Sequence, residues 1–231
     1  MTAPPPADVG ANWPQGNLQA RMAFLLALRA RGLADVAVLR ALEIAPREMF
    51  VPRRHADLAL RDVALPISCG QTMPEPYIVG RMMEALDVRS DHCTLEIGAG
   101  SGYATAILAQ LSGIVLSYER FRSLALEAQA RLEALGLTNA RVEWDDGLEA
   151  GPAAGPFDRI VVHGLLEDTG ALDAALLDEG IMVFGRLGQG GQRLLVRRRR
   201  RGRRAGGLAA LACRPVARGA GRQGRRPAQA A

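Results

Sequence analysis

"LEIGAGSGYATAILAQL", residues 95–111, joins a short apolar run to a helical pattern through Gly98, Gly100 and Gly102. The run through Glu96-Ile97-Gly98 reads as a strand, and the apolar spacing from Tyr103 onward reads as a helix. Three glycines between them allow a tight turn that no side chain crowds. In a parallel sheet, such a turn brings backbone N–H groups close to a ligand at the sheet edge. The glycine pattern alone does not choose that ligand.

Working outward, short apolar runs alternate with amphipathic stretches from position 93. "TLEIG", "GIVLSYE", "ARVEW" and "DRIVVHG" predict strands; "SGYATAILAQL", "FRSLALEAQARLEALG" and "ALDAALLDE" predict helices. In the second of these helices Phe121, Leu124, Ala128, Leu132 and Leu135 form one stripe. Alternation at this spacing predicts a doubly wound α/β domain with a mostly parallel, Rossmann-like sheet.

An N-terminal helical cap is expected before it. "NLQARMAFLLALRARG" sets Leu18, Met22, Leu25 and Leu26 on one helical face, and "ADVAVLRALEIA" repeats the pattern with Val38, Leu39 and Leu42. Pro46 and Pro52 then break helicity. The expected organisation is a flexible start at 1–16, a cap and loop at 17–74, an α/β core at 75–190 and an arginine-rich segment at 191–231. That last segment is expected to be disordered or poorly folded, because like charges repel and little apolar area is available to bury. A nucleic-acid arm is the functional alternative, disfavoured by the lack of aromatic residues for base stacking.

A length of 231 residues suits one core, and 48% hydrophobic with 23% charged residues is ordinary for a globular chain. No apolar stretch approaches the roughly 20 residues of a membrane span. "MTAPPPADVGANWPQG" lacks the basic and apolar regions of a signal peptide, so a cytoplasmic location is expected. Cys69, Cys93 and Cys213 form no C-x-x-C pair and no zinc spacing with histidine, so reduced thiols and no metal are expected. The net charge of +5 is unevenly distributed: 14 of the 29 basic residues follow Glu179, whereas all 24 acidic residues lie at or before it. The first 179 residues therefore carry a balance of −9. All basic residues are arginine, which points to coding bias rather than to function.

Carboxylates at three successive strand ends narrow the ligand. Glu96 precedes the turn, where it would repel a pyrophosphate but suit an ammonium or ordered water. Glu119, 21 residues after Gly98, can accept both hydroxyls of a ribose in either a dinucleotide or an S-adenosyl cofactor. Asp146, followed by Gly147, can accept from an adenine amino group. The set favours S-adenosyl-L-methionine.

These residues, with "APREMFVP", "ALPISCGQTMPEPYIVGRMMEAL", "PFDRIVV" and "LLDEG" in order, resemble the protein-L-isoaspartate O-methyltransferases. The likeness runs from about residue 20 to 188, and Leu65 to Leu86 is its most specific part. It implies methyl transfer to the free carboxylate of isoaspartyl residues in aged proteins, giving esters that collapse to a succinimide and partly reopen as aspartate. Carried over, it implies that Glu96, Gly98, Gly100, Ser101 and Gly102 line the methionine end of the cofactor. It assigns Glu119 to the ribose, and Asp146 with Gly147 to the adenine. Gln71 and Thr72 would lie across the reacting centre, in the loop that holds the substrate carboxylate. Isoaspartyl proteins or peptides are the implied partners; a monomer is expected, with no membrane partner and with nucleic acid disfavoured as above.

A carboxylate is already an anion at neutral pH, so the transfer needs alignment rather than a general base. Proximity alone can contribute about 7–11 kcal/mol. Two positions depart from the family. Pro74 replaces a serine in the substrate loop and supplies neither hydroxyl nor N–H. His163-Gly164-Leu165-Leu166 replaces a small-residue turn, making His163 a candidate substrate-facing donor or a structural residue. The alternatives are a divergent paralogue acting on a small molecule or another carboxylate, and a catalytically weak cofactor- or RNA-binding protein.

Overall fold

The computed structural model describes residues 18–202 and the backbone of a last strand at 204–212. The start expected to be flexible, at 1–16, lies outside the described residues. Helices α1 (Leu18–Ala30) and α2 (Val36–Ile44) form the cap. Asp35 caps α2 by accepting from the N–H of Val38 at 3.0 Å, an interaction that typically stabilises a helix by about 1 kcal/mol. Two short strands follow, β1 (Leu65–Pro66) and β2 (Thr72–Met73), and then α3 (Pro76–Leu86), with Pro76 in its first turn. Glu84 of α3 accepts from the N–H groups of Ala34 and Asp35 at 2.7 and 2.8 Å, tying the cap to the core.

The core continues as β3 (Cys93–Ile97), α4 (Tyr103–Leu111), β4 (Ile114–Glu119), α5 (Arg122–Ala134) and β5 (Ala140–Trp144). Next come α6 (Gly147–Ala153), β6 (Phe157–Leu165), α7 (Gly170–Ala175), β7 (Leu176–Leu187), β8 (Arg193–Arg201) and β9 (Arg204–Ala212). The sheet order is β5-β4-β3-β6-β7-β8-β9. Neighbours from β5 through β7 pair parallel, and the last two strands join antiparallel. This is the expected doubly wound, mostly parallel sheet. The strand order reverses between β3 and β6, the crevice where ligands bind in such sheets.

Both sheet faces are buried, as parallel strands require. Along β6, Val161 joins one core with α2, α3, α4 and α5, while Ile160 and Val162 join another with Leu172 and Ala175 of α7. In β7, Ile181 and Val183 face the first core, and Met182 and Phe184 face the second. Leu124, Ala128 and Leu132 of α5 are buried as their stripe predicts, as are Val38, Leu39 and Leu42 of α2.

The structure differs from the sequence expectation at three places. On α1 the buried residues are Phe24 and Leu28, whereas Leu18, Met22 and Leu26 are exposed. A helix so rich in apolar residues offers two faces, and only one meets α2. Near "ALDAALLDE" the helix stops at Ala175: Leu176 enters β7 opposite Phe157, where it is buried in the second core.

The third difference concerns the arginine run, whose residues 193–201 form β8 rather than part of a tail. Strand alternation sends its guanidinium groups to opposite faces. Arg197 donates to the carbonyl of Ala85 at 2.7 Å, near the end of α3. Arg198 bonds Thr169 Oγ1 at 2.6 Å and pairs with Asp173 at 2.8 Å, and Arg200 donates to the carbonyls of Asp173, Ala174 and Leu176. These side chains supply donors that helix C-termini lack. The disorder expected further on, at 213–231, lies outside the described residues. Among the described residues, no helix is long and apolar enough to cross a membrane.

Candidate functional site

The turn between β3 and α4 lies at the crevice. Gly98, Gly100 and Gly102 have φ of +90°, +56° and +88°, a region that side-chain-bearing residues rarely adopt. A Cβ on Gly102 would stand 3.0 Å from Ala128 Cβ, so this glycine also lets α4 start against α5. The turn's N–H groups are largely committed inside the protein. Those of Gly98 and Ala99 donate to the Tyr118 carbonyl at 2.8 and 3.2 Å, that of Gly102 to Ala99 at 2.9 Å, and that of Gly100 to Glu119 Oε2 at 2.8 Å. The turn therefore lacks the free N–H cradle expected from its sequence.

Glu119 is buried at the end of β4, and its Oε1 accepts from the N–H of Phe121 at 2.9 Å. Each of its oxygens retains a lone pair for a further donor. Asp146 caps α6 by accepting from Leu148 at 3.0 Å. A Cβ on Gly147 would stand 2.7 Å from Tyr118 Cβ and 3.0 Å from Ile97 Cγ2, which draws the start of α6 tightly onto β3 and β4.

Glu96 is wholly buried and faces no open space. Its Oε2 accepts from Thr105 Oγ1 at 2.5 Å and Ser117 Oγ at 2.6 Å, and its Oε1 lies 2.9 Å from His163 Nε2. Burial alone would raise this carboxyl, but the hydrogen bond and charge of His163, then the bonds from Ser117 and Thr105, outweigh it. Its pKa is held below the usual value, so Glu96 is an anion at neutral pH. An ionised carboxylate only accepts, so His163 Nε2 carries the hydrogen between them. The His163–Glu96 bond spans β6 to β3 across the switch point, and a Cβ on Gly98 would stand 3.5 Å from His163 Cβ.

The segment before α3 packs over the turn. Ser101 Oγ donates to Met73 Sδ at 3.5 Å, and a Cβ on Gly100 would meet Ile67 Cδ1 at 3.3 Å. Cys69, at φ +58°, touches Ser123 of α5 through Sγ–Oγ at 3.2 Å. Gln71 Nε2 bonds the Cys69 carbonyl at 3.1 Å, and Thr72 is exposed. The Pro74 carbonyl accepts from Arg47 Nη2 at 3.3 Å. Arg47, 2% exposed, also donates to the carbonyls of Ala59, Arg61 and Val63. Its one guanidinium thus fastens the loop before β1 to the segment after β2.

A family model described as Protein-L-isoaspartate(D-aspartate) O-methyltransferase (PCMT) matches residues 19–207. The chain belongs to the protein-L-isoaspartate O-methyltransferase family. Relatives of that name are similar: one from Xanthobacter autotrophicus is 49% identical over 74% of this chain and 76% of its own. Another, from Rhodopseudomonas palustris, is 48% identical over 71% and 76%. A solved protein-L-isoaspartate O-methyltransferase shares the fold with a TM-score of 0.72 at 21% identity, covering 85% of this chain and 65% of that one. A Plasmodium falciparum structure described by the same activity, in complex with S-adenosyl-L-homocysteine, gives 0.71 at 18% identity over 86% and 98%.

In this family member, strand ends bring Glu96, the glycine turn, Glu119 and His163 together, and Ile67 and Met73 of the preceding loop pack on the turn at Gly100 and Ser101. Gln71 bonds within its own loop, Asp146 caps its own helix, and neither makes a side-chain bond to the turn. Sequence reasoning missed Arg47, Thr105, Ser117, Ile67 and Met73. Arginine in "APREMFVP" was visible but its carbonyl partners were not, because they lie 12 to 27 residues away.

Proposed function

We propose that this protein transfers the methyl group of S-adenosyl-L-methionine to the free carboxylate of L-isoaspartyl residues in damaged proteins, acting as a cytoplasmic monomer. The observation that carries this is the packing of the family-specific loop onto the glycine turn, through Met73 on Ser101 and Ile67 over Gly100. The turn's committed N–H groups also leave few donors for a pyrophosphate, which disfavours a dinucleotide.

The residues present fit the cofactor: a turn without side chains would take its methionine end, the buried Glu119 with lone pairs left over would take the ribose hydroxyls, and Asp146 with Gly147 would take the adenine. When bound, the cofactor supplies an electrophilic methyl on a sulfonium. Gln71 and Thr72 would orient the substrate carboxylate, with the exposed Thr72 hydroxyl as donor. Pro74, at the position of the family serine, offers no donor there, so the loop aligns its substrate with one hydrogen bond fewer. Ile67 and Met73 exclude water from one side of the turn.

The test is incorporation of labelled methyl into a protein aged to accumulate isoaspartate, beside the fresh protein. Selective incorporation, released by mild base as expected of an ester, supports the proposal. Equal incorporation in both, or a base-stable product, contradicts it.

A further inference from the structure

We infer that an arginine-lined cleft at the edge of the sheet away from the glycine turn binds a small oxyanion, a carboxylate or a phosphate, independently of the proposed methyl-transfer site. The cleft measures about 280 Å³, far above the roughly 10–15 Å³ that admits one water. It lies between the end of α3, the loop before β3, the first residues of β6, the first half of β7 and the second half of β8. From this edge β3 runs from Cys93 to the turn after Ile97, roughly 13 Å away.

The most buried charged group lining the cleft is Arg159, 7% exposed. Its Nε and Nη1 donate to the carbonyls of Asp87 and Asp158, both at 2.9 Å. Its Nη2 makes no hydrogen bond among the described residues and lies 3.9 Å from the Asp87 carboxylate. Arg197 uses Nε on the Ala85 carbonyl, which leaves both Nη groups as donors. Arg199 Nε is buried without a hydrogen-bond partner among the described residues, and the exposed Arg89 makes no side-chain hydrogen bond among them. Burial chiefly lowers the pKa of Arg159; Asp87 and Asp158 oppose the shift, whereas Arg89 and Arg197 add to it, so these guanidinium groups feel one another.

Acids line the cleft as well, and their positions decide the sign of its interior. Glu179 is paired with Arg199 at 2.5 Å. Asp178 is exposed and accepts from the N–H of Gly202 at 2.6 Å, and the Asp87 side chain is 51% exposed. Solvent and salt screen such rim charges. Farther in, the half-buried Asp158, which accepts from the N–H of Cys93 at 2.8 Å, stands against both Arg159 and Arg197. Two guanidinium groups against one carboxylate leave one positive charge with unused donors. The planar fork of a guanidinium matches carboxylate and phosphate oxygens. His92 adds a donor: its Nδ1 accepts from the N–H of Arg89 at 3.0 Å, which puts the hydrogen of the neutral ring on Nε2.

Calorimetric titration of the intact protein with sodium phosphate, and separately with sodium acetate, at an ionic strength held constant with sodium chloride, tests the inference. Saturable binding of at least one anion is expected, with a dissociation constant on the order of 1 mM, and the tighter of the two tells a phosphate site from a carboxylate site. Arg197→Gln should weaken that binding about tenfold or more. Its denaturation midpoint without anion reads any loss of folding separately. Arg89→Gln alters an exposed side chain without hydrogen bonds among the described residues, so the fold is kept, and it should weaken binding about threefold. No saturation by either anion up to about 50 mM, or an affinity unchanged in both variants, overturns the inference.

Discussion

The amide of Gly100 donates to Oε2 of Glu119 at 2.8 Å, so the carboxylate that ends β4 grips the turn that ends β3. The same group is proposed to hold the ribose, which couples cofactor affinity to the shape of the turn. Glu119→Gln keeps one acceptor but sets an amide NH2 against one of the two backbone donors. Loss of about 1–3 kcal/mol of stability is expected, with a tenfold or greater loss of affinity for S-adenosylhomocysteine. Urea denaturation and calorimetry read the two separately, and unchanged affinity would remove Glu119 from the cofactor site.

Gly102 stands at φ +88° with Ala128 where its Cβ would be. Gly102→Ala should therefore destabilise by about 2–4 kcal/mol, part from backbone strain and part from overpacking. Adding Ala128→Gly should recover only the overpacking part, as chemical denaturation of both variants will show.

At Arg47 four carbonyls depend on one buried guanidinium, whose pKa is lowered chiefly by burial and raised in turn by Tyr103 and Glu75. Arg47→Met should cost on the order of 3 kcal/mol, because the carbonyls are left without donors. Arg47→Lys should recover part of the stability while still loosening Pro74. The kinetic signature is a raised KM for peptide, with affinity for S-adenosylhomocysteine retained.

Glu96 makes a pH prediction. Its folded pKa is depressed, so its contribution to stability is fully present above the ordinary carboxylate value and is lost as pH falls through the folded value. Denaturation midpoints measured from about pH 6 down to about pH 3 should fall for the wild type. The decline should be shallower for Glu96→Gln, and equal slopes would contradict the assignment.

Much of this architecture was legible beforehand because its signals are local. Glycines at Gly98, Gly100 and Gly102 announce a turn whose positive φ values no other residue tolerates well, and stripes such as Leu124, Ala128 and Leu132 announce a buried helical face. Signals fail where an apolar residue has two possible uses. Leu176 fits the period of α7 as well as the pleat of β7, and pairing with Phe157 decides. The arginines of β8 mislead for a related reason: a run of like charge reads as solvated until helix C-termini on both faces supply carbonyls. In the site, Glu96 was visible as an acid beside the turn. Its confinement by Thr105, Ser117 and His163 was not, because those partners come from three other elements.

The most direct measurement compares methyl transfer from labelled S-adenosylmethionine to a peptide containing isoaspartate with transfer to the same peptide containing aspartate, for the wild type and Pro74→Ser. Restoring one hydrogen bond to a charged group is worth about 1.5–3 kcal/mol, so Pro74→Ser should raise kcat/KM on the isoaspartyl peptide roughly tenfold to a hundredfold. The account predicts transfer by the wild type confined to the isoaspartyl peptide and faster transfer by the variant. Silence of both proteins toward isoaspartate, with S-adenosylmethionine still bound, would contradict it.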